Sequence, residues 1–281
     1  MDNSEFLPGL TEVMTGKTDF QLHSGDCIEG MKGLPEESVD LVVTSPPYNL
    51  GIGYESYTDK LSSEDYLSWS KEWVNGVKRV LKPNGSLFLN VGSSPSNPWM
   101  PHELALSIRD ILALQNTIHW IKSITVDGTD GEPHSVGHFK PINSKRFIND
   151  CHEFVFHFTK TGDIPVDRLG VGVPYADKSN ITRWGHTEGC DKRCRGNNWY
   201  IPYKTIRSRN KDRPHPATFP TELASKCIAL HGGAPDDLTM MDPFLGIGHA
   251  GVAAGETGVR TFIGFEIDDS YLNEAKSRLT A

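Results

Sequence analysis

Short apolar runs rich in β-branched and aromatic residues alternate with helix-patterned stretches along most of this chain. That alternation restricts it to a doubly wound α/β sheet. Strand candidates fall at residues 20–23, 41–44, 86–91, 117–121, 154–158, 238–241 and 261–265. Seven such strands fit one large, mostly parallel sheet. Residues 63–81 read as a helix, because Tyr66, Leu67, Trp69, Trp73, Val74, Val77, Val80 and Leu81 recur near a 3.6-residue spacing and Lys82-Pro83-Asn84-Gly85 follows as a stop signal. Further helices are expected at 102–113, 220–231, 247–254 and 270–279. With 281 residues, 37% hydrophobic content and no uncharged apolar run near ~18 residues, the chain is long enough for a large core plus an insertion. It offers no membrane-spanning segment.

The rhythm stops between residues 162 and 213, where Gly, Pro, Asn and Arg mix with isolated aromatics such as Tyr175, Trp184, Trp199, Tyr200 and Tyr203. A stretch that long without periodicity inside one domain is usually functional. The expected organisation is therefore residues 1–162, an insertion at 163–213 that contacts the substrate, and residues 214–281 completing the first domain. Charge supports this division. The whole chain carries −8, which argues against indiscriminate coating of nucleic acid. Between Asp177 and Arg213, however, ten basic residues face four acidic ones, so that segment is +6 and the remainder −14. A basic face on an acidic body focuses a polyanion onto one surface.

The amino terminus, Met1-Asp-Asn-Ser-Glu, lacks the basic start and apolar stretch of a secretory signal, so a cytoplasmic location is expected. Cys27, Cys151, Cys190, Cys194 and Cys227 are odd in number and irregularly spaced, which fits reduced thiols better than a disulfide framework. His186, Cys190 and Cys194 have no evident fourth ligand nearby, so no metal site is expected.

At the end of the second strand candidate stands Thr44-Ser45-Pro46-Pro47-Tyr48. A hydroxyl, a carbonyl held by two prolines and an aromatic ring suit one task, gripping the exocyclic amino group of a planar base. The segment resembles the Ser-Pro-Pro-Tyr motif of DNA methyltransferases that act on amino groups, most closely the cytosine-N4 type. Relatives with Asp or Asn in place of Ser act mainly on adenine N6, which stays as the alternative. Near the other end, Asp242-Pro243-Phe244-Leu245-Gly246-Ile247-Gly248 follows a strand and opens a helix, where glycines permit a tight turn and close backbone approach to a ligand. It resembles the S-adenosyl-L-methionine loop of the same enzymes. A strand then ends in Glu266, where a carboxylate can accept hydrogen bonds from ribose hydroxyls. The strand at 20–23 and the turn with Asp26 resemble the part facing the adenine, and His215-Pro-Ala-Thr218-Phe219-Pro220 resembles an element covering the methionine end. Phe219 stands where Lys is frequent.

The catalytic motif thus precedes the cofactor loop, a permuted order similar to the beta group of these enzymes. The resemblance implies catalytic roles for Ser45, Pro46, Pro47 and Tyr48. It implies cofactor binding by Asp26, Thr218, Asp242, Pro243, Phe244, Gly246, Gly248 and Glu266. Ser45 and the Pro46 carbonyl would accept hydrogen bonds from the amino group, and Tyr48 would stack on the base. A paired amino group has to leave the stack first, so the target base is flipped out of double-stranded DNA. Residues 49–54, with Gly51 and Gly53, form either a lid over that base or an ordinary loop. Arg193, Arg195, Arg207, Arg209 and Arg213 suit phosphates and guanine edges alike. No Pro-Cys pair supplies the nucleophile that cytosine C5 methylation needs, and Ser45 lacks the Gly-x-Ser-x-Gly setting of a hydrolase. A cognate restriction endonuclease is a possible partner, the oligomeric state is a monomer or homodimer, and an inactive DNA-reading subunit that binds the cofactor is the non-enzymatic alternative.

Overall fold

Strand β3 (Val39–Thr44) is buried at every position, as a strand covered by helices on both faces has to be. The computed structural model describes residues 10–15, 18–49, 61–129, 131–137, 139, 142–183, 187, 189–202 and 218–280. Before β3 come β1 (Leu10–Thr15), β2 (Thr18–Ser24) and α1 (Cys27–Lys32). After it come α2 (Ser63–Val80), β4 (Leu81–Val91), α3 (Met100–Ser107), β5 (Ala113–Ile121), the hairpin β6 (Ser123–Asp127) and β7 (Pro133–Gly137), and β8 (His152–Thr159). The described elements end with α4 (Ser179–Arg183), β9 (Asn198–Tyr200), α5 (Thr221–His231), β10 (Thr239–Asp242), α6 (His249–Thr257), β11 (Thr261–Glu266) and α7 (Asp269–Leu279).

Nine of these strands make one sheet in the order β1-β2-β11-β10-β3-β4-β8-β5-β9. The run from β2 to β4 is parallel throughout, β9 pairs parallel with β5, and the contacts of β1 with β2 and of β8 with β4 and β5 are antiparallel. All seven strands expected from the sequence are present, and β1 and β9 extend the sheet at its two edges. Helices α1, α2 and α3 cover one face, where Met31, Trp73, Val77 and Leu104 pack on Val42, Leu87 and Leu89. Helices α5, α6 and α7 cover the other, where Leu223, Cys227, Ala250 and Leu272 meet Leu41, Val43, Phe88 and Phe262. Each large side chain fully withdrawn from water contributes about 1.5–3 kcal/mol, so the two helix layers account for most of the burial that holds the sheet between them.

Helix α2 starts where Ser62 Oγ accepts the Asp65 amide at 3.1 Å, and stops at Val80 because Leu81 turns extended, with φ −69° and ψ 132°. The stop signal Lys82-Pro83-Asn84-Gly85 lies inside β4, as a break between the Val39–Leu81 and Leu41–Ser86 pairings. The helix expected at 102–113 is shorter and earlier, since β5 already begins at Ala113. The segment after residue 162 is not wholly irregular. It adds Val171, Trp199 and Ile201 to the core, and the Ile201 carbonyl accepts the buried Trp120 indole N–H at 2.8 Å. Among the described residues no helix is long and apolar enough to cross a membrane.

Candidate active site

Four adjacent strands, β2, β11, β10 and β3, run parallel, so their carboxyl ends meet at one rim of the sheet. In open α/β sheets ligands bind in the crevice outside those ends. Here the rim carries Asp26 just past β2, Glu266 ending β11, Asp242 ending β10 and Ser45 just past β3. A cavity opens between them, lined by Gly25, Asp26, Cys27, Ser45, Pro46, Pro47, Trp69, Thr218, Phe219, residues 243–247, His249, Ala250, residues 265–268 and Tyr271. The structure therefore gathers Ser45, Pro46 and Pro47 with Asp26, Thr218, Pro243, Phe244, Gly246 and Glu266 around one space.

Several polar groups on this rim also have a structural duty. Asp26 Oδ1 accepts the Ile28 and Glu29 amides at 2.7 and 3.3 Å and so caps α1. Glu266 Oε2 accepts the Gly246 amide at 2.7 Å and Oε1 the Asp268 amide at 2.9 Å, which locks the glycine turn to β11. Burial raises the Glu266 pKa above the ordinary carboxylate value, and the two amides oppose the shift. Gly248, in the left-handed region at φ 86°, begins α6; a Cβ there would lie 3.1 Å from the Ala275 Cβ.

Asp242 is beneath the cavity and does not line it. It is 1% exposed, and its Oδ1 accepts the Thr44 hydroxyl at 2.6 Å and the Phe244 amide at 3.0 Å. The carboxyl thus ties the end of β3, where the Ser-Pro-Pro-Tyr segment begins, to the glycine turn after β10. Burial pushes its pKa up to about 7 against those two hydrogen bonds. Phe244 anchors the same turn, with Trp69 and Trp73 of α2 at ring distances of 5.5 and 5.3 Å. Aromatic pairs of this kind add about 0.5–1.5 kcal/mol each beyond the area they bury.

Tyr48 stands beside the cavity wall, 9% exposed. Its hydroxyl is 2.7 Å from Ser45 Oγ, donates to Glu153 Oε2 at 3.2 Å and accepts from Asn90 Nδ2 at 2.7 Å. Asn90 Nδ2 also reaches Glu153 Oε2 at 2.9 Å, and Lys122 Nζ pairs with Glu153 Oε1 at 3.1 Å. The Tyr66 hydroxyl of α2 donates to the Pro47 carbonyl at 2.8 Å and steadies the diproline turn. None of Tyr66, Asn90, Lys122 and Glu153 was singled out for the site by sequence. The signal that could have found one of them was Asn90, the lone polar residue within the apolar run Leu87–Val91, whereas Glu153 shares its strand with His152, His157 and Thr159.

The arginines divide. Arg193 is exposed and its guanidinium reaches the Cys194 carbonyl at 3.2 Å, whereas Arg195 is half-buried with Nε donating to the Val171 carbonyl at 3.0 Å. Arg207, Arg209 and Arg213 lie outside the described residues, as do residues 50–54 of the suggested lid, His186 and His215–Ala217. Among the described residues no three metal-ligating side chains converge.

The profile of a DNA methylase family covering N6 and N4 amino-methyltransferases matches residues 39–277. The chain is 31% identical over 270 residues to the Type II methyltransferase M.ScaI of Streptomyces caespitosus, covering 94% of this chain and 82% of that protein. Among solved structures, the PvuII DNA methyltransferase (cytosine-N4-specific) superposes with a TM-score of 0.67 at 20% identity, over 95% of this chain and 88% of that one. A putative DNA modification methylase of Thermus thermophilus, solved with S-adenosyl-L-methionine, gives 0.58 at 24% identity over 92% and 93%. A serine-proline-proline-tyrosine turn and a glycine turn meeting at one sheet rim, within a chain matched by that profile over most of its length, place this protein in the N6/N4 DNA methylase family, as a DNA amino-methyltransferase that uses S-adenosyl-L-methionine.

Proposed function

We propose that this enzyme methylates the exocyclic N4 of a cytosine flipped out of duplex DNA. The observation that carries this reading is Ser45, a hydroxyl rather than a carboxylate, at the junction of the diproline turn and the cavity. The donor set of the cavity suits S-adenosyl-L-methionine. The Glu266 oxygens keep acceptor capacity beyond the backbone amides they receive, enough for a ribose diol, while Trp69, Phe244 and Ile267 offer apolar wall for the rest. Bound there, the cofactor supplies an electrophilic methyl group.

The chain's own part is alignment. A base amino nitrogen is a weak nucleophile because its lone pair is delocalised into the ring. Hydrogen bonds from that amino group to Ser45 Oγ and to the Pro46 carbonyl localise the pair and turn it toward the methyl. Pro46 and Pro47 fix φ and present no competing donor, and the Tyr66 hydroxyl holds the turn in place. Holding both reactants in line accounts for a large share of the acceleration in such transfers. Tyr48, beside Ser45, supplies the ring against which the base stacks.

The insertion at 163–213, with Arg193, Arg195, Arg207, Arg209 and Arg213, reads the target and neutralises phosphate. The similarity to a Type II methyltransferase supports a role in restriction–modification, protecting the sites of a cognate endonuclease. Adenine N6 is the second reading, favoured by a family profile that spans both chemistries. The test is to incubate purified protein with mixed-sequence duplex DNA and methyl-labelled S-adenosyl-L-methionine, digest to nucleosides and identify the labelled species by mass spectrometry. N4-methylcytosine is expected. N6-methyladenine would overturn the base assignment and leave the amino-transfer site standing.

A further inference from the structure

Serine differs from a carboxylate in one respect that matters for gripping an amino group. Its hydroxyl carries a proton, so it can turn either a donor or an acceptor toward a ligand. A base amino group presents donors. A Ser45 proton aimed into the cavity would set donor against donor, and the grip would be lost. The neighbours of Ser45 decide where that proton goes.

Ser45 Oγ lies 2.7 Å from the Tyr48 hydroxyl, which in turn reaches Glu153 Oε2 at 3.2 Å. Asn90 Nδ2 donates to the Tyr48 oxygen at 2.7 Å and to Glu153 Oε2 at 2.9 Å. Its amide cannot face the other way without setting a carbonyl oxygen against a carboxylate. Lys122 holds the second Glu153 oxygen, and the two side chains are only 17% and 12% exposed. An ionised carboxylate accepts and never donates, and hydrogen bonds to it are roughly twice as strong as neutral ones. Tyr48 has a single proton, and Glu153 is the stronger claimant for it. The Tyr48 oxygen is then left to accept from Asn90 and from Ser45.

We propose that Glu153, acting through Tyr48, fixes the polarity of Ser45, drawing its hydroxyl proton away from the cavity and leaving its lone pairs for the target amino group. The inference rests on the functional reading above and holds for either base. Glu153 is a positioning residue: it does not line the cavity, and it reaches Ser45 chiefly through Tyr48, with Asn90 Nδ2 making a longer contact to Ser45 Oγ at 3.5 Å. A relative with an aspartate in the motif would need no such device, because a carboxylate is an acceptor already.

Glu153→Leu removes the acceptor outright, whereas a glutamine could still turn its carbonyl oxygen toward Tyr48 and Asn90; the Tyr48 proton then goes back to Ser45 and the Ser45 proton into the cavity. The expected result is a kcat lower on the order of 100-fold, the scale seen when one aligned hydrogen bond is lost from a reacting centre, with S-adenosyl-L-methionine affinity and KM for DNA nearly unchanged. Glu153→Asp, still acceptor-only, recovers much of the rate. In a Tyr48→Phe background, where the link is cut, E153L causes little further fall in kcat. Lys122→Met combined with E153L removes both charges, carries the test if the single variant folds poorly, and is expected to show the same kcat loss. The inference is overturned if E153L and the double variant keep kcat within about threefold of wild type, or if the E153L loss adds in full to that of Y48F. A wild-type protein that labels no exocyclic amino group overturns the functional reading itself, and the inference with it.

Discussion

Asp242→Asn is expected to stabilise the cofactor-free protein at pH 8 and to leave it little changed near pH 4. The Asp242 carboxyl is 1% exposed and its pKa is pushed up to about 7, chiefly by burial. The folded state therefore holds a proton that the unfolded chain releases near the ordinary value of 3.8. A raised carboxyl of this kind contributes stability that is fully present below the unfolded pKa and lost as pH rises toward 7. Across about three pH units, at about 1.4 kcal/mol each, the loss approaches 4 kcal/mol as an upper figure. Asparagine still accepts from the Thr44 hydroxyl and the Phe244 amide through its carbonyl oxygen, but it has no charge to desolvate. Urea unfolding of both proteins at pH 4.5, 6 and 8 gives the difference directly, and it should open with rising pH by roughly 2–4 kcal/mol. The difference is the readout because other buried groups titrate in the same range. A gap independent of pH would refute the argument that Asp242 is a desolvated acid bracing the two turns.

Two further outcomes test other parts of the structure. His157 is fully buried, stacked on Phe88 at 4.4 Å, and burial lowers its pKa to about 4. Its neutral form supports the fold above about pH 6.5, and that support is lost as pH falls toward 4, by about 3 kcal/mol; His157→Asn should be less stable throughout yet lose less on acidification, as followed by thermal melts. Gly248→Ala places a Cβ at φ 86° and 3.1 Å from Ala275, so unfolding experiments should show a loss of about 1–3 kcal/mol, with weaker cofactor binding by calorimetry.

The central sheet was legible because two-sided burial leaves an unmistakable mark, an unbroken apolar run such as Leu41–Val43. The edges were not. Strand β9 is three residues long, too short for any periodicity, and becomes a strand through Trp199, whose ring is buried against the sheet. Strand β1 alternates less clearly and exists by pairing with β2. The diproline and glycine turns could be found because their chemistry lies in adjacent residues. Lys122 and Glu153 could not, and Asn90 showed only as a polar residue in an apolar run, since they come from just past β5, from β8 and from β4, and acquire meaning only when those strands lie side by side. Asp242 was recognised as important, but sequence does not say whether an acid faces a ligand or turns beneath the loop, and here it is beneath.

The hydrogen bond between Thr44 and Asp242 spans 198 positions of the chain, and β2 pairs with β11 across a still longer interval. Contacts of such separation form late, because the entropy of closing the intervening loop has to be overcome before they return anything. The side of the cavity that carries Ser45 and the side that carries the glycine turn and Glu266 therefore meet only when strands far apart in the sequence have docked. A fragment that lacks either set of strands lacks one wall of the cavity, so this site can form only as a product of the complete sheet.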